Sequence, residues 1–260
     1  MTDDISTTDA IVLRLVPYRD SDVIATLFSR ELGKFSGLAR AARKSRRRFG
    51  GALGSLMVIR AELASKRRGQ LWTLRAASPL ESFSELAGDM ATFAHASYAT
   101  ELVRELTAEG QPDEAVYDLL LAFYRELRNG ASVQVVRAFE LSLLALLGLM
   151  PMLDRCAACG SADEESLDEL AVLDPAKGGV LCHTCSGRFR GPGARSLPGP
   201  ARRFLLACQS VESLAAARLI AVEPEIAAAA RDALLALLLG HVGKSLRSLE
   251  FINKLSGGGS

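Results

Sequence analysis

Three histidines, one tryptophan and five cysteines are all that 260 residues contain of these side chains, and their placement excludes most catalytic chemistry. None of His95, His183 and His241 opens an H-x-E, so the glutamate-assisted zinc water of a deaminase is missing. No G-x-x-x-x-G-K-[ST], no G-x-S-x-G and no strand-linked G-x-G-x-x-G occurs, which removes the phosphate-cradling and nucleophile-elbow routes. Acidic pairs such as Glu164–Glu165 sit in a polar segment. The chain reads as a non-enzyme. Long apolar runs are lacking too: those around Leu141–Met150 and Ala233–Leu239 meet charge before the ~18 residues that a bilayer span needs. The opening MTDDISTTD has neither the basic nor the apolar region of a secretion signal. These features predict a cytoplasmic protein with no membrane contact.

Net charge is also small, +1, but it hides a polarised chain. Residues 1–80 carry 15 Lys/Arg against 7 Asp/Glu, a local excess of +8, which leaves −7 for the remainder. Six of those cations, Arg40, Arg43, Lys44, Arg46, Arg47 and Arg48, fall within nine residues that contain no acid. Phe49 and two glycines follow at once. A second trio, Lys66, Arg67 and Arg68, precedes Gly69, and Lys34 stands just before the main cluster. Cations do keep turns and sheet edges soluble. That explains three or four, with counterions nearby, and not a run of this density. The pattern points to a polyanion.

The same eighty residues read as strands. AIVLRLV (10–16), VIATLFS (23–29), KFSGLARA (34–41), SLMVIRAEL (55–63) and QLWTLRA (70–76) are short, β-branched or alternating, with turn glycines at Gly33 and Gly69. Five strands without a long helix suit a small closed barrel of the OB type; an SH3-like barrel or half-open sandwich leaves much the same pattern. Such a barrel can bring the two basic loops to one surface, where charge tracks a strand's backbone and rings stack on bases. Phe35, Phe49 and Trp72 are the candidate rings, Phe49 foremost. Beyond Pro79 the period becomes helical: Val116/Leu119/Leu120/Phe123/Leu127, Val136/Phe139/Leu143/Leu146/Leu147/Met150 and Leu235/Leu238/Val242/Leu246/Leu249 form apolar stripes of a helical core. The C-terminal SGGGS is a flexible tail with no part in the fold.

Four cysteines form C-x2-C pairs, Cys156/Cys159 and Cys182/Cys185, separated by 22 residues. Two such knuckles complete a tetrahedron around zinc, and four thiolates leave no position for a reactive water, so the ion is structural. Disulfides are disfavoured in a cytoplasmic chain. Cys208, alone in an apolar run, reads as a small buried hydrophobe.

Three stretches together resemble the RecO family of recombination mediators over nearly the whole chain. They are AIVLRLVPYRDSDVIATLFSRELGKFSGLARAARKSRRRFGGAL, RAFELSLLALLGLMPMLDRCAACG (137–160) and GKSLRSLEFI (243–252). The resemblance implies an OB-fold over 1–80 that binds DNA, then an α-helical domain over 81–255 with an embedded zinc ribbon near 152–192. It implies no catalysis, binding of single- and double-stranded DNA, strand annealing, and partnership with RecR. It also implies recognition of the acidic tail of single-stranded DNA-binding protein, so that RecA is loaded indirectly at the bacterial nucleoid. Under that reading Arg137 is the residue expected to meet the tail's carboxylates. The other reading of the same residues is a zinc-ribbon adaptor that binds RNA or a ribosomal surface without annealing.

Overall fold

The computed structural model describes residues 5–64, 71–168 and 171–257. It divides into two compact units, residues 1–128 with the last few from Lys254, and residues 129–253.

The first unit begins with five strands, β1 (Ile5–Tyr18), β2 (Asp22–Ser29), β3 (Gly33–Ala39), β4 (Met57–Ala64) and β5 (Trp72–Ser82), with one helical turn, α1 (Arg46–Phe49), between β3 and β4. They close into a barrel in the order β1-β2-β3-β5-β4. All pairings are antiparallel except β3–β5, where Gly37, Leu38 and Ala39 run parallel to Trp72, Thr73 and Leu74. That is the OB order. The 14-residue β1 closes it by pairing twice: Ile5–Ile11 lie against β4, and Ala10–Tyr18 against β2, with a bulge between Val12 and Arg14. Such a bulge turns a long strand sharply enough to serve two neighbours. A second irregularity skips Leu80 beside Pro79, whose missing N–H cannot join the ladder.

Period-2 alternation fills the interior. Along β3, Gly33, Phe35, Gly37 and Ala39 face inward, and Val12, Leu27, Phe35, Ile59, Leu63 and Leu74 form the core. Burying each such side chain stabilises the fold by about 1.5–3 kcal/mol.

Secondary structure changes class near residue 83, close to the expected boundary at 80, but the packing divides later. α2 (Met90–Leu106) and α3 (Glu114–Leu127) belong to the barrel's own unit. Arg30 at the end of β2 bonds Glu114 at 2.9 Å and Asp118 at 2.8 Å on α3. Arg128 reaches Glu85 and Glu81 at 2.8 and 2.9 Å. Asp113 caps α3 by accepting from the Val116 N–H at 3.0 Å, so Pro112 precedes the cap and does not sit in the first turn.

In the second unit, α4 (Val133–Leu146) is followed by the cysteine segment. That segment consists of α5 (Glu164–Asp168), β6 (Val172–Asp174), β7 (Gly179–Leu181), α6 (His183–Phe189) and β8 (Arg195–Ser196), with a three-stranded sheet ordered β7-β6-β8. Then come α7 (Gly199–Gln209), α8 (Leu214–Ala217), α9 (Pro224–Val242) and α10 (Arg247–Gly257). α7 packs against both α4 and α9. The buried face of α9 is Ala230, Ala233, Leu234, Leu237 and Leu238; of the expected stripe Leu238 lies on it, whereas Leu235 and Val242 are only part-buried. The helix stops at Gly243, left-handed at φ 72°, which ends the stripe before Leu246. No helix of the described residues is long and apolar enough to cross a membrane.

The β2–β3 turn docks closely on the α2–α3 connection. Gly33 has φ +63°, and a Cβ there would stand 1.9 Å from the Gln111 carbonyl oxygen. Gly33→Ala should destabilise the first unit by about 2–5 kcal/mol through strain and overlap, read as a lowered urea midpoint with an unchanged slope.

Candidate nucleic-acid interface and metal centre

The basic run occupies the β3–β4 connection. Hydrogen bonds to its backbone and from the Arg48 side chain, not ion pairs, shape it. Ala41, left-handed at φ 53°, donates its N–H to Asp22 Oδ1 at 2.8 Å, and the Arg43 N–H donates to the Ser21 carbonyl at 3.1 Å. Lys44 and Ser45 donate back to the Ala41 carbonyl, each at 3.1 Å. Arg48 braces the turn from within: its Nη2 donates to the Arg40 carbonyl at 2.7 Å and its Nε to Ser45 Oγ at 3.1 Å.

Arg40, Arg43, Lys44, Arg46 and Arg47 are exposed, and among the described residues none of them forms an ion pair. Several arginines elsewhere in this unit are neutralised: Arg60 by Asp9 at 2.8 Å, Arg104 by Glu101 and Glu105, Arg125 by Glu81. Two like charges ~8 Å apart in water repel by about 0.5 kcal/mol. The turn therefore carries an electrostatic cost that an external anion relieves.

Four of the expected residues have other tasks. Phe49 is 4% exposed and plugs the barrel core from α1, with the Arg48 guanidinium 5.1 Å from its ring centroid. It is a core residue, not a stacking platform. Phe35 is likewise buried, and the part-buried Trp72 lies edge-on to it at 6.3 Å. Lys34 points its ammonium at the end of α2 and donates to the Arg104 and Thr107 carbonyls, where a helix C-terminus favours a cation. Lys66, Arg67 and Arg68 lie outside the described residues.

An aromatic that the sequence reading passed over is Tyr18, 40% exposed at the tip of the β1–β2 turn. The Arg19 guanidinium lies 5.3 Å from its ring centroid, and Arg19 is left-handed at φ 52°. Ser21 and Asp22, from the same turn, hold the basic connection. The available signal was PYRDSD, an aromatic beside a cation where two strands meet.

In the second unit, the four cysteines converge as their spacing predicts. One ligand atom from each of Cys156, Cys159, Cys182 and Cys185 lies within 4.8 Å of all the others, and Cys159 Sγ stands 3.9 Å from Cys182 Sγ. Thiolates 2.3 Å from a tetrahedral ion lie about 3.8 Å apart, so the set could hold a metal. The described cysteines form no disulfide. Burial raises the Cys156 thiol, but N–H bonds from Cys182, Cys159 and Ala158 outweigh it and bring the pKa down to about 6. Burial and the neighbouring cysteines push Cys185 up to about 12. One thiolate is welcome there and a fourth is not, which is the charge balance a bound cation would change. Glycines shape the frame: Gly160, at φ 75°, turns the first knuckle, and a Cβ on Gly179 would meet the Met152 carbonyl at 2.6 Å. Arg202, 1% exposed, ties this segment to α7 through Asp168 at 2.8 Å and the Leu153 carbonyl at 3.2 Å.

Arg137 lies on α4 but is 7% exposed. Its Nη2 donates to Glu140 Oε1 at 2.9 Å, while Nε and Nη1 have no hydrogen-bond partner among the described residues. Cys208 is buried beside this pair, and desolvation raises its pKa to about 12.

Two outcomes follow. Phe49→Ala should cost about 3–5 kcal/mol of stability, whereas Phe49→Leu should leave oligonucleotide affinity within about twofold if the ring only packs. Elemental analysis should find one metal ion per chain, and Cys182→Ser should weaken metal binding by more than the roughly 10–100-fold that loss of a ligand's hydrogen-bond partner costs. Metal-free protein with four freely titrating thiols would contradict this.

Comparison with known proteins agrees with both units. Residues 1–83 match the family model described as Recombination protein O N terminal, and residues 87–250 match Recombination protein O C terminal. The chain is 40% identical over 246 residues to the DNA repair protein RecO of Anaeromyxobacter sp. (strain Fw109-5), covering 94% of each. It is 35% identical over 245 residues to that of Myxococcus xanthus, covering 94% of this chain and 95% of the relative. To that of Geobacter sulfurreducens it is 36% identical over 249 residues, covering 95% and 97%. With a barrel of OB order, a four-cysteine cluster and matches along both parts, the chain belongs to the RecO family.

Proposed function

We propose that this protein is a non-catalytic DNA repair mediator acting in the bacterial cytoplasm. It binds single- and double-stranded DNA at the β3–β4 connection of its barrel and anneals complementary strands. With RecR it helps load RecA onto DNA coated by single-stranded DNA-binding protein. One observation carries the reading: five exposed cations in one turn, without ion pairs among the described residues and held by hydrogen bonds to the turn's backbone. Family membership supports the rest.

Arg40, Arg43, Lys44, Arg46 and Arg47 track the phosphates, and Arg48 sets the shape of the turn. Tyr18 replaces Phe49 as the ring on which a base stacks, because it is exposed and its turn is hydrogen-bonded to the basic connection. Lys66, Arg67 and Arg68, outside the described residues, are proposed to contact phosphates as well. Among the described residues no base-reading helix accompanies these side chains, so the binding proposed is independent of sequence. Arg137 is buried in its pair with Glu140, so this reading leaves the partner tail's carboxylates to other residues. Zinc is the ion the four thiolates select, and its role is to close the cysteine segment, not to react.

Binding should be steep in salt. Roughly six neutralised phosphates predict a slope near −4 for log K against log salt on single strands. Arg43→Glu, Arg46→Glu and Arg47→Glu together should lower affinity at least ~100-fold with the melting profile unchanged, measured by fluorescence anisotropy. Retained affinity, or a flat salt response, rules out the connection as the DNA site. Matched DNA and RNA oligomers with a strand-annealing assay separate this reading from the RNA adaptor, which prefers RNA and anneals nothing.

A further inference from the structure

The cysteine segment holds a second set of exposed cations. From Pro175 to Val211 the chain contains no acidic residue, while it carries Lys177, Arg188, Arg190, Arg195, Arg202 and Arg203. Arg202 and Arg203 are committed to Asp168. The other four are exposed, and among the described residues they form no ion pair.

The fold gathers them. Asp174, fully buried, accepts from the Ala176 N–H at 2.8 Å through Oδ1 and from the Gly191 N–H at 2.6 Å through Oδ2. One carboxylate thus ties the β6–β7 turn, which carries Lys177, to the end of α6, which carries Arg188 and Arg190. Leu173 pairs with Arg195 across β6 and β8. The Lys177 ammonium lies 5.6 Å from the ring centroid of Phe189, and that ring is 49% exposed. An exposed phenylalanine beside a cation, among further cations, has the chemistry of a stacking platform on a phosphate track.

Neutralising the metal centre does not explain the set. Four thiolates around a dication carry −2, which two cations balance; four are present. Their aromatic companion also faces solvent.

We propose that the cysteine segment is a second site for single-stranded DNA, with Lys177, Arg188, Arg190 and Arg195 on the phosphates and Phe189 under a base. Two sites on one chain give annealing a physical basis, because each strand is held by its own set of cations while the bases pair. The DNA identity of the ligand rests on the function proposed for the barrel, and the experiment separates the two.

Native mass spectrometry of the full, metal-replete chain with a thymidine oligomer of about eight nucleotides counts strands per molecule. Wild type should bind two. The variant Lys177→Glu, Arg188→Glu, Arg190→Glu, Arg195→Glu should bind one at unchanged metal content, the barrel variant at Arg43, Arg46 and Arg47 should bind one, and their combination none. One strand on wild type, lost only in the barrel variant, overturns this inference and leaves the barrel site standing. Two strands on the variant of the cysteine segment overturn it as well. Two strands on the barrel variant overturn the barrel reading instead. Within the barrel variant, Phe189→Ala should weaken the oligomer about fivefold or more, with Phe189→Tyr restoring it. Equal binding of all three, or of an abasic oligomer, removes the ring from the site.

Discussion

A turn of like charges keeps one shape only if something other than charge holds it. In this protein that something is a set of hydrogen bonds to the turn's backbone and one buried ring. Asp22 and Ser21 on the neighbouring turn accept the N–H groups of Ala41 and Arg43, and Phe49 drives one ring into the barrel from the far side. With those anchors the cations need no acidic partners and remain available. Had they been paired as Arg30, Arg60 and Arg104 are, the same composition would give an inert surface.

The cysteine segment obeys a related rule. Its thiolates crowd within 4.8 Å, which disfavours ionising all of them unless a cation is present. Around that centre the frame leans on positions where a side chain cannot fit, such as Gly179 and Gly199, and on a buried arginine, Arg202, whose charge is matched by Asp168. Asp174 acts through hydrogen bonds to backbone N–H groups, joining two loops and leaving the exposed cations around it uncompensated. Each unit therefore carries one dense group of exposed cations without ion pairs among the described residues.

Much of this was legible in the chain. The cysteine spacing needed only the geometry of two knuckles, and the helical stripes at Val116–Leu127 and Val136–Leu143 follow from local period. The barrel strands were visible from alternation, though their order was not, since β1 pairing with both β2 and β4 depends on a bulge at Val12–Arg14 that no local pattern marks. Phe49 was misplaced for a clear reason: flanking arginines and glycines describe its neighbours in sequence, while its environment is set by strands thirty residues away in either direction. Tyr18 was missed because a hairpin tip becomes part of a site only through what it touches. Lys34 looked like one more cation until α2 ended above it.

By itself the sequence determined the kinds of element, the four cysteines that could hold a metal and the charge density of the β3–β4 connection, because all of these are properties of neighbours along the chain. The tertiary structure alone decided which cations are consumed internally, which ring faces solvent, and that a second group of unpaired cations gathers beside the cysteines. The reason is that an ion pair, a buried ring or a docked turn joins residues distant in sequence, and whether a charge is free depends on every partner that the fold brings within reach.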